Sequence, residues 1–118
     1  MALTVTVETP AEGVAVLRLS GRIDAAAMAD FEAILMPHAE NPAVARIVLE
    51  GSGMDYVASA GLRALLKAVK AMTPRKAKLY GAGLPGSVAS VLKMTGFLSF
   101  IELRAGVAEC LPPSGSGS

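Results

Sequence analysis

One hydroxyl stands out among small residues in the stretch MDYVASAGLRALL, residues 54–66. Ser59 lies between two alanines, where apolar residues give way to the pattern of an amphipathic helix. Such a serine can cap the helix by accepting a backbone N–H bond, which contributes about 1 kcal/mol. It can also be a nucleophile, or a group that another protein modifies. A phosphate there would add roughly −1.5 to −2 charges, which the N–H groups and dipole of a helix N-terminus can accommodate.

The surrounding sequence argues against catalysis by this serine. A hydrolase nucleophile elbow reads G-x-S-x-G, but Val57 occupies the first glycine position. The single histidine, His38, precedes Ser59, whereas in the hydrolase order the histidine follows the serine. One histidine and one cysteine are too few for a structural zinc site. We therefore expect no enzymatic activity, no metal and no cofactor.

A second motif, GAGLPG at residues 81–86, has the spacing G-x-G-x-x-G of dinucleotide-binding loops. That loop belongs on the first strand of a large sheet, and here only one predicted strand follows it. Pro85 also lacks the N–H group that a bound phosphate would need. The motif instead predicts a tight turn with proline at the start of a helix.

The totals indicate one globular domain without the excess of positive charge that binding to nucleic acid or an anionic membrane would need. The chain has 118 residues, is 53% hydrophobic and carries a formal net charge of +1, which does not favour binding of nucleic acid. Cys110 is the single cysteine, which fits a reducing cytoplasm, and we expect neither a signal peptide nor membrane insertion. We assign residues 1–111 to the domain and 112–118, PPSGSGS, to a flexible tail.

Hydrophobic periodicity predicts an α/β fold with the order β β α β α β α β. The predicted strands are 3–8, 14–21, 44–51, 77–82 and 99–104, and the predicted helices begin at Asp24, Ser59 and Gly86, with a short last helix at 105–111. The first two strands form a hairpin, and the later ones pair in parallel through helical crossovers. Because several strands carry charges on one face, we predict a mixed five-stranded sheet with helices mainly on the other.

This topology predicts where a site lies. The segments after strands two, three and four, residues 20–24, 51–58 and 81–86, leave the sheet at one edge. Ligands of open α/β sheets dock at that edge. We therefore expect Asp24, Ser59 and Leu84 to form one composite surface.

Two segments together resemble the STAS domain family, and within it the anti-sigma factor antagonists of the SpoIIAA type. They are LSGRID at 19–24 and VLEGSGMDYVASAGLRALL at 48–66. The resemblance implies a partner switch without catalysis. Unmodified, the chain would bind an anti-sigma factor that is also a serine kinase, and phosphorylation of Ser59 would release it. A PP2C-type phosphatase would reset the serine.

The residues that we assign to partner binding come from this resemblance and from the predicted edge: Asp24, Ala58, Ser59, Gly61, Leu62 and Leu84. Ala58 stands where the best-known members often carry an acid, and Glu50 and Gly51 replace a common aspartate and apolar residue. These two changes predict a looser segment before Ser59. The alternative function is a STAS subunit of a lipid-transport ABC system or a signalling scaffold, and a weak homodimer stays open.

Overall fold

A computed structural model describes residues 3–57 and 59–112, with the backbone alone for 56, 59 and 60. The strands are β1 (Thr4–Ala11), β2 (Val14–Ile23), β3 (Arg46–Val57), β4 (Lys78–Ala82) and β5 (Ile101–Arg104). The helices are α1 (Met28–Ala39), α2 (Ser59–Met72) and α3 (Gly86–Met94). Short 3-10 turns cover Thr73–Arg75, Phe97–Ser99 and Val107–Cys110.

The five strands form one mixed sheet in the order β1-β2-β3-β4-β5. β1 runs antiparallel to β2, and the other neighbours are parallel. The hairpin between β1 and β2 closes at Gly13, whose φ of +77° suits glycine. The predicted fold class is therefore confirmed.

The main core lies between one face of the sheet and all three helices. Apolar residues alternate along β2 and β3, so that Leu17, Leu19 and Leu49 point toward the helices. Phe31 and Leu35 of α1 meet them from above and are fully buried. The helical faces contributed by α2 and α3 are also aliphatic: Ala64, Leu65, Ala68, Val69, Met72, Val88 and Leu92.

The other face of the sheet is partly open and partly covered by the turn Val107–Cys110. Cys110 is fully buried there beside a small cluster of strand residues that includes Val16, Val48 and Tyr80. Burial raises the pKa of the Cys110 thiol, because the thiolate would lose its hydration. Beyond this cluster the face is ionic, with Arg18 pairing to Glu8 at 3.0 Å.

Several predicted bounds were wrong, and one predicted element was of the wrong type. β1 extends to Ala11, and the expected last helix is a 3-10 turn. More important for the site, the segment 52–57, predicted as a loop or a short extension of the third strand, is the extension. It continues β3, pairing Gly53 with Ser20 and Val57 with Ile23 after a bulge. Up to Val57 the segment before Ser59 is paired with β2, and its looseness relative to the family stays a prediction.

Candidate functional site

β2, β3 and β4 are parallel neighbours, so their carboxyl ends point toward one edge of the sheet, but β4 stops opposite Glu50, seven residues before the end of β3. They end at Ile23, Val57 and Ala82. Asp24 comes directly after β2, and α2 begins two residues after the end of β3. Leu84 lies two residues after the end of β4. We call this edge the switch rim.

Asp24 holds the first turn of the switch rim in place. Its carboxylate Oδ1 accepts a hydrogen bond from the Ala27 N–H at 3.0 Å, and its backbone carbonyl accepts from the same group at 3.2 Å. The expectation that Asp24 caps α1 was wrong in position. The helix begins at Met28, and the side chain of its N-cap residue, Ala27, makes no capping hydrogen bond. Asp24 therefore stabilises the turn that leads into the helix, and its side chain is half-buried.

Ser59 is the first residue of α2, as the sequence predicted. Ala58 lies outside the described residues, so its assignment to the partner surface stays a prediction. The structure describes only the backbone of Ser59. A residue at this position stands among the free N–H groups of the helix N-terminus. Leu62, in the same first turn, is half-buried.

Gly61 fixes how closely α2 approaches the sheet. A Cβ atom at Gly61 would lie 2.5 Å from Ile23 Cγ2 and 2.9 Å from Val57 Cγ2. Carbon atoms do not approach so closely, so only glycine allows this packing. Gly61 is buried and sets the position of Ser59 through the backbone. Its predicted contact with a partner stays a prediction.

Leu84 packs over two glycines, one in the middle of β3 and one near the end of β4. A Cβ atom at Gly51 would lie 2.5 Å from Leu84 Cδ2, and one at Gly81 would lie 2.7 Å from Leu84 Cδ1. Leu84 is half-buried, so part of its side chain stays at the surface. Gly51 departs from the family pattern, and because it has no side chain it leaves room for Leu84 to pack against its backbone.

Glu50 supports the same strand end from the opposite face of the sheet. Its Oε2 accepts the Ser52 N–H at 3.1 Å, and its Oε1 lies 3.7 Å from Arg18 Nη1. The sequence analysis treated this glutamate as a departure without a role. Arg18 lies on a neighbouring strand, and Ser52 lies two residues further along β3. Periodicity alone could not reveal these contacts of Glu50.

Sequence reasoning missed a groove beside Asp24. This open groove, about 730 Å³ in volume, lies between the start of β1 and α1, and its lining includes Leu3, Val5, Asp30 and Ile34. Its walls are mostly apolar, with the carboxylates of Asp24 and Asp30 among them. The alternation of Leu3 and Val5 and the helical spacing of Asp30 and Ile34 were visible, but their meeting depends on tertiary packing.

The described residues offer neither a cluster of metal ligands nor a helix that could span a membrane. No group of three or more histidine, cysteine, aspartate or glutamate side chains in residues 3–57 and 59–112 is placed to hold a metal ion. Within the same residues, no helix has both the length and the apolar character needed to cross a membrane.

With the geometry in place, comparison with known proteins assigns the family. The sequence pattern of the STAS domain matches residues 6–110, so this chain belongs to the STAS domain family. No curated protein matches the sequence.

Solved structures share the fold at low sequence identity. An anti-sigma factor antagonist from Mycobacterium paratuberculosis is 19% identical with a TM-score of 0.79, covering 92% of this chain and 91% of that one. The antagonist SpoIIAA in its unphosphorylated form is 15% identical with a TM-score of 0.73, covering 90% and 92%. Its phosphorylated form from Bacillus is 15% identical with a TM-score of 0.72, covering 90% and 96%.

The fold also occurs in a transporter. The STAS domain of a SulP transporter from Vibrio cholerae is 18% identical with a TM-score of 0.59, covering 81% of this chain and 77% of that one. At these identities the likeness shows the fold alone.

Proposed function

We propose that this protein is an anti-sigma factor antagonist that acts by partner switching, without catalytic activity of its own. Unmodified, it binds an anti-sigma factor that is a serine kinase. Phosphorylation of Ser59 ends this binding, and a PP2C-type phosphatase restores it. We expect the exchange to take place in the cytoplasm and to involve no nucleic acid contact.

One observation carries the proposal: α2 begins at residue 59, so this residue stands among the free N–H groups at the N-terminus of the helix. The first turn of a helix offers free N–H groups and a positive dipole end, which favour a phosphate. SpoIIAA shares this fold and occurs in an unphosphorylated and a phosphorylated form, which supports phosphorylation as the switching event.

The switch follows from packing and charge. A partner seated on the rim would desolvate it, and Asp24 already contributes one negative charge there. A phosphate adds roughly −1.5 to −2 more. Burying an unpaired charge in an interface is strongly unfavourable, so the complex loses affinity. The domain itself keeps its fold, because the helix N-terminus accommodates the phosphate.

Phosphorylation in vitro tests the proposal. The chain is incubated with ATP and the kinase-type anti-sigma factor of the same genome, and its intact mass is measured. We expect one phosphate on the wild type and none on Ser59→Ala. Ser87→Ala is the matched control, because Ser87 is exposed in the first turn of the neighbouring helix α3. No phosphate on the wild type, or one that Ser59→Ala retains, contradicts the proposal.

A second candidate is a STAS subunit of a lipid-transport ABC system or a signalling scaffold. The likeness to the SulP transporter domain favours it, since that protein uses the same fold in transport. Co-purification with an ABC ATPase, with no transfer of phosphate to Ser59, would select this candidate over the first.

A further inference from the structure

β1 is an edge strand, and half of it lacks the features that usually protect such an edge. Among residues 3–57 and 59–112, β1 pairs with β2 and with no other strand. Near the hairpin the edge is interrupted by Pro10 and by a break in register between Glu8 and Ala11, and both hinder the pairing of a further strand. The other half, LTVTV at 3–7, contains neither proline nor a charged residue. This half can therefore accept another strand.

The unprotected half of β1 lies beside the groove at Asp24. The two strands of the hairpin are antiparallel, so β1 begins where β2 ends, close to Asp24. Val5 lies opposite Leu19, which faces the helices, so Val5 faces them too. A strand paired with 3–7 would lie about 4.8 Å from β1 and direct every second side chain to that same face. Those side chains would point toward the groove between β1 and α1.

The walls of this groove leave room for incoming apolar side chains. Its lining from α1 and the turn before α1 includes three alanines beside the half-buried Ile34: Ala26, Ala27 and Ala33. Val7, on the helix-facing side of β1, is 43% exposed and would be covered by an added strand. Removing these apolar surfaces from water is favourable, so an added strand gains from packing as well as from backbone pairing.

The charges of the groove favour a basic residue on the added strand. Asp24 and Asp30 both line it, and in the described chain, 3–57 and 59–112, neither carboxylate lies within ion-pair distance of a cation. Arg22 lines the groove as well, so its charged groups sum to a net charge of −1. A strand that carries lysine or arginine is therefore favoured over one that carries acidic residues.

We propose that the 3–7 half of β1 binds an extended, basic segment of a partner protein by adding it to the sheet as a further strand. Backbone hydrogen bonds to β1 would hold the segment, and its apolar side chains would pack into the groove. A lysine or arginine of the segment would pair with Asp24 or Asp30. A second copy of this chain fits less well, because pairing two β1 strands would bring two acidic grooves together without supplying a cation.

The test uses the fluorescein-labelled peptide Lys-Thr-Val-Thr-Val-Thr-Lys, whose lysines and valines share one face of a strand. One control peptide carries glutamate in place of each lysine, and another carries proline in place of the central threonine, which disfavours a paired strand. Fluorescence anisotropy of the full chain measures affinity, and hydrogen exchange followed by NMR reports on single amides. We expect the lysine peptide to bind about tenfold or more tightly than either control. It should also slow exchange at alternate amides of 3–7, those that are not bonded to β2.

Variants of α1 test the groove separately from the strand edge. Ala33→Trp fills the groove and should weaken binding of the lysine peptide about tenfold or more. Ala29→Trp is the matched control, because Ala29 is exposed on the same helix and lies outside the lining of the groove. Asp30→Asn should weaken binding of the lysine peptide several-fold and leave the weak binding of the glutamate peptide unchanged or stronger.

The assay contains neither kinase nor ATP, so its outcome is separate from that of the phosphorylation proposed for Ser59. Absence of binding, equal affinity for the lysine and glutamate peptides, or full affinity of Ala33→Trp overturns the proposal. Exchange at β1 that slows with rising protein concentration in the absence of peptide also overturns it, because that result assigns the edge to a second copy of the chain.

Discussion

Replacing Gly61 by alanine should destabilise the domain and displace the start of α2. The new Cβ would lie 2.5 Å from Ile23 Cγ2 and 2.9 Å from Val57 Cγ2, both buried at the ends of strands. Overpacking a core site costs about 1–3 kcal/mol, and the better helix propensity of alanine returns up to about 1 kcal/mol. We therefore expect a net loss of about 1–2 kcal/mol in the free energy of unfolding.

Urea unfolding monitored by circular dichroism measures this change. Gly86→Ala is the matched control, because Gly86 also lies in the first turn of a helix but a Cβ there would have no atom within 4 Å. We expect the control to be as stable as the wild type or slightly more stable. If Gly61→Ala matched Gly86→Ala in stability, the close approach of α2 to the sheet would be wrong, and with it the placement of Ser59.

Three further outcomes are expected. Lys76, whose φ is 58°, lies in the left-handed region. Lys76→Gly should raise the free energy of unfolding by about 0.5–1 kcal/mol, because relief of the left-handed strain exceeds the entropy cost of glycine; a less stable variant in urea would contradict this. Asp24→Asn removes a charge from the proposed partner surface and should weaken binding to the kinase-type anti-sigma factor several-fold by calorimetry, whereas Glu40→Gln at the far end of α1 should not; equal affinities would exclude Asp24 from that surface. Burial opposes ionisation of Glu102, but hydrogen bonds and charges from Lys78 and Arg104 outweigh it, so its pKa is lowered. That ionisation therefore stabilises the fold above the unfolded pKa and ceases to do so as pH falls through the folded one. Lys78→Met should raise the pKa of Glu102 in a carboxyl NMR titration, and an unchanged value would refute the pairing.

Local patterns predicted much of the architecture. Leu62, Leu65, Leu66 and Val69 recur at helical spacing, and α2 lies where they indicate. Alternation in residues 3–8 predicted β1, and the helix–strand order predicted the parallel sheet. These features depend on neighbours in sequence, so the sequence alone carries them.

What the sequence did not predict depends on contacts between distant segments. The stretch 52–57, with two glycines before and within it, has the composition of a loop, yet it is strand because β2 continues beside it. From the sequence, Gly51 predicted a looser segment, whereas in the structure the side chain of Leu84 packs against it. The groove beside Asp24 likewise arises between β1 and α1, which are far apart in the chain, so no local pattern contains it.

The binding of unmodified and charge-bearing chains to one partner tests the central claim most directly. Isothermal titration of the kinase-type anti-sigma factor would compare the wild type with Ser59→Asp, and Ser87→Asp would control for a charge at the start of a neighbouring helix. We predict that Ser59→Asp weakens binding about tenfold or more, which corresponds to about 1.4 kcal/mol, while Ser87→Asp has a smaller effect. Equal affinities for the wild type and Ser59→Asp would contradict the account.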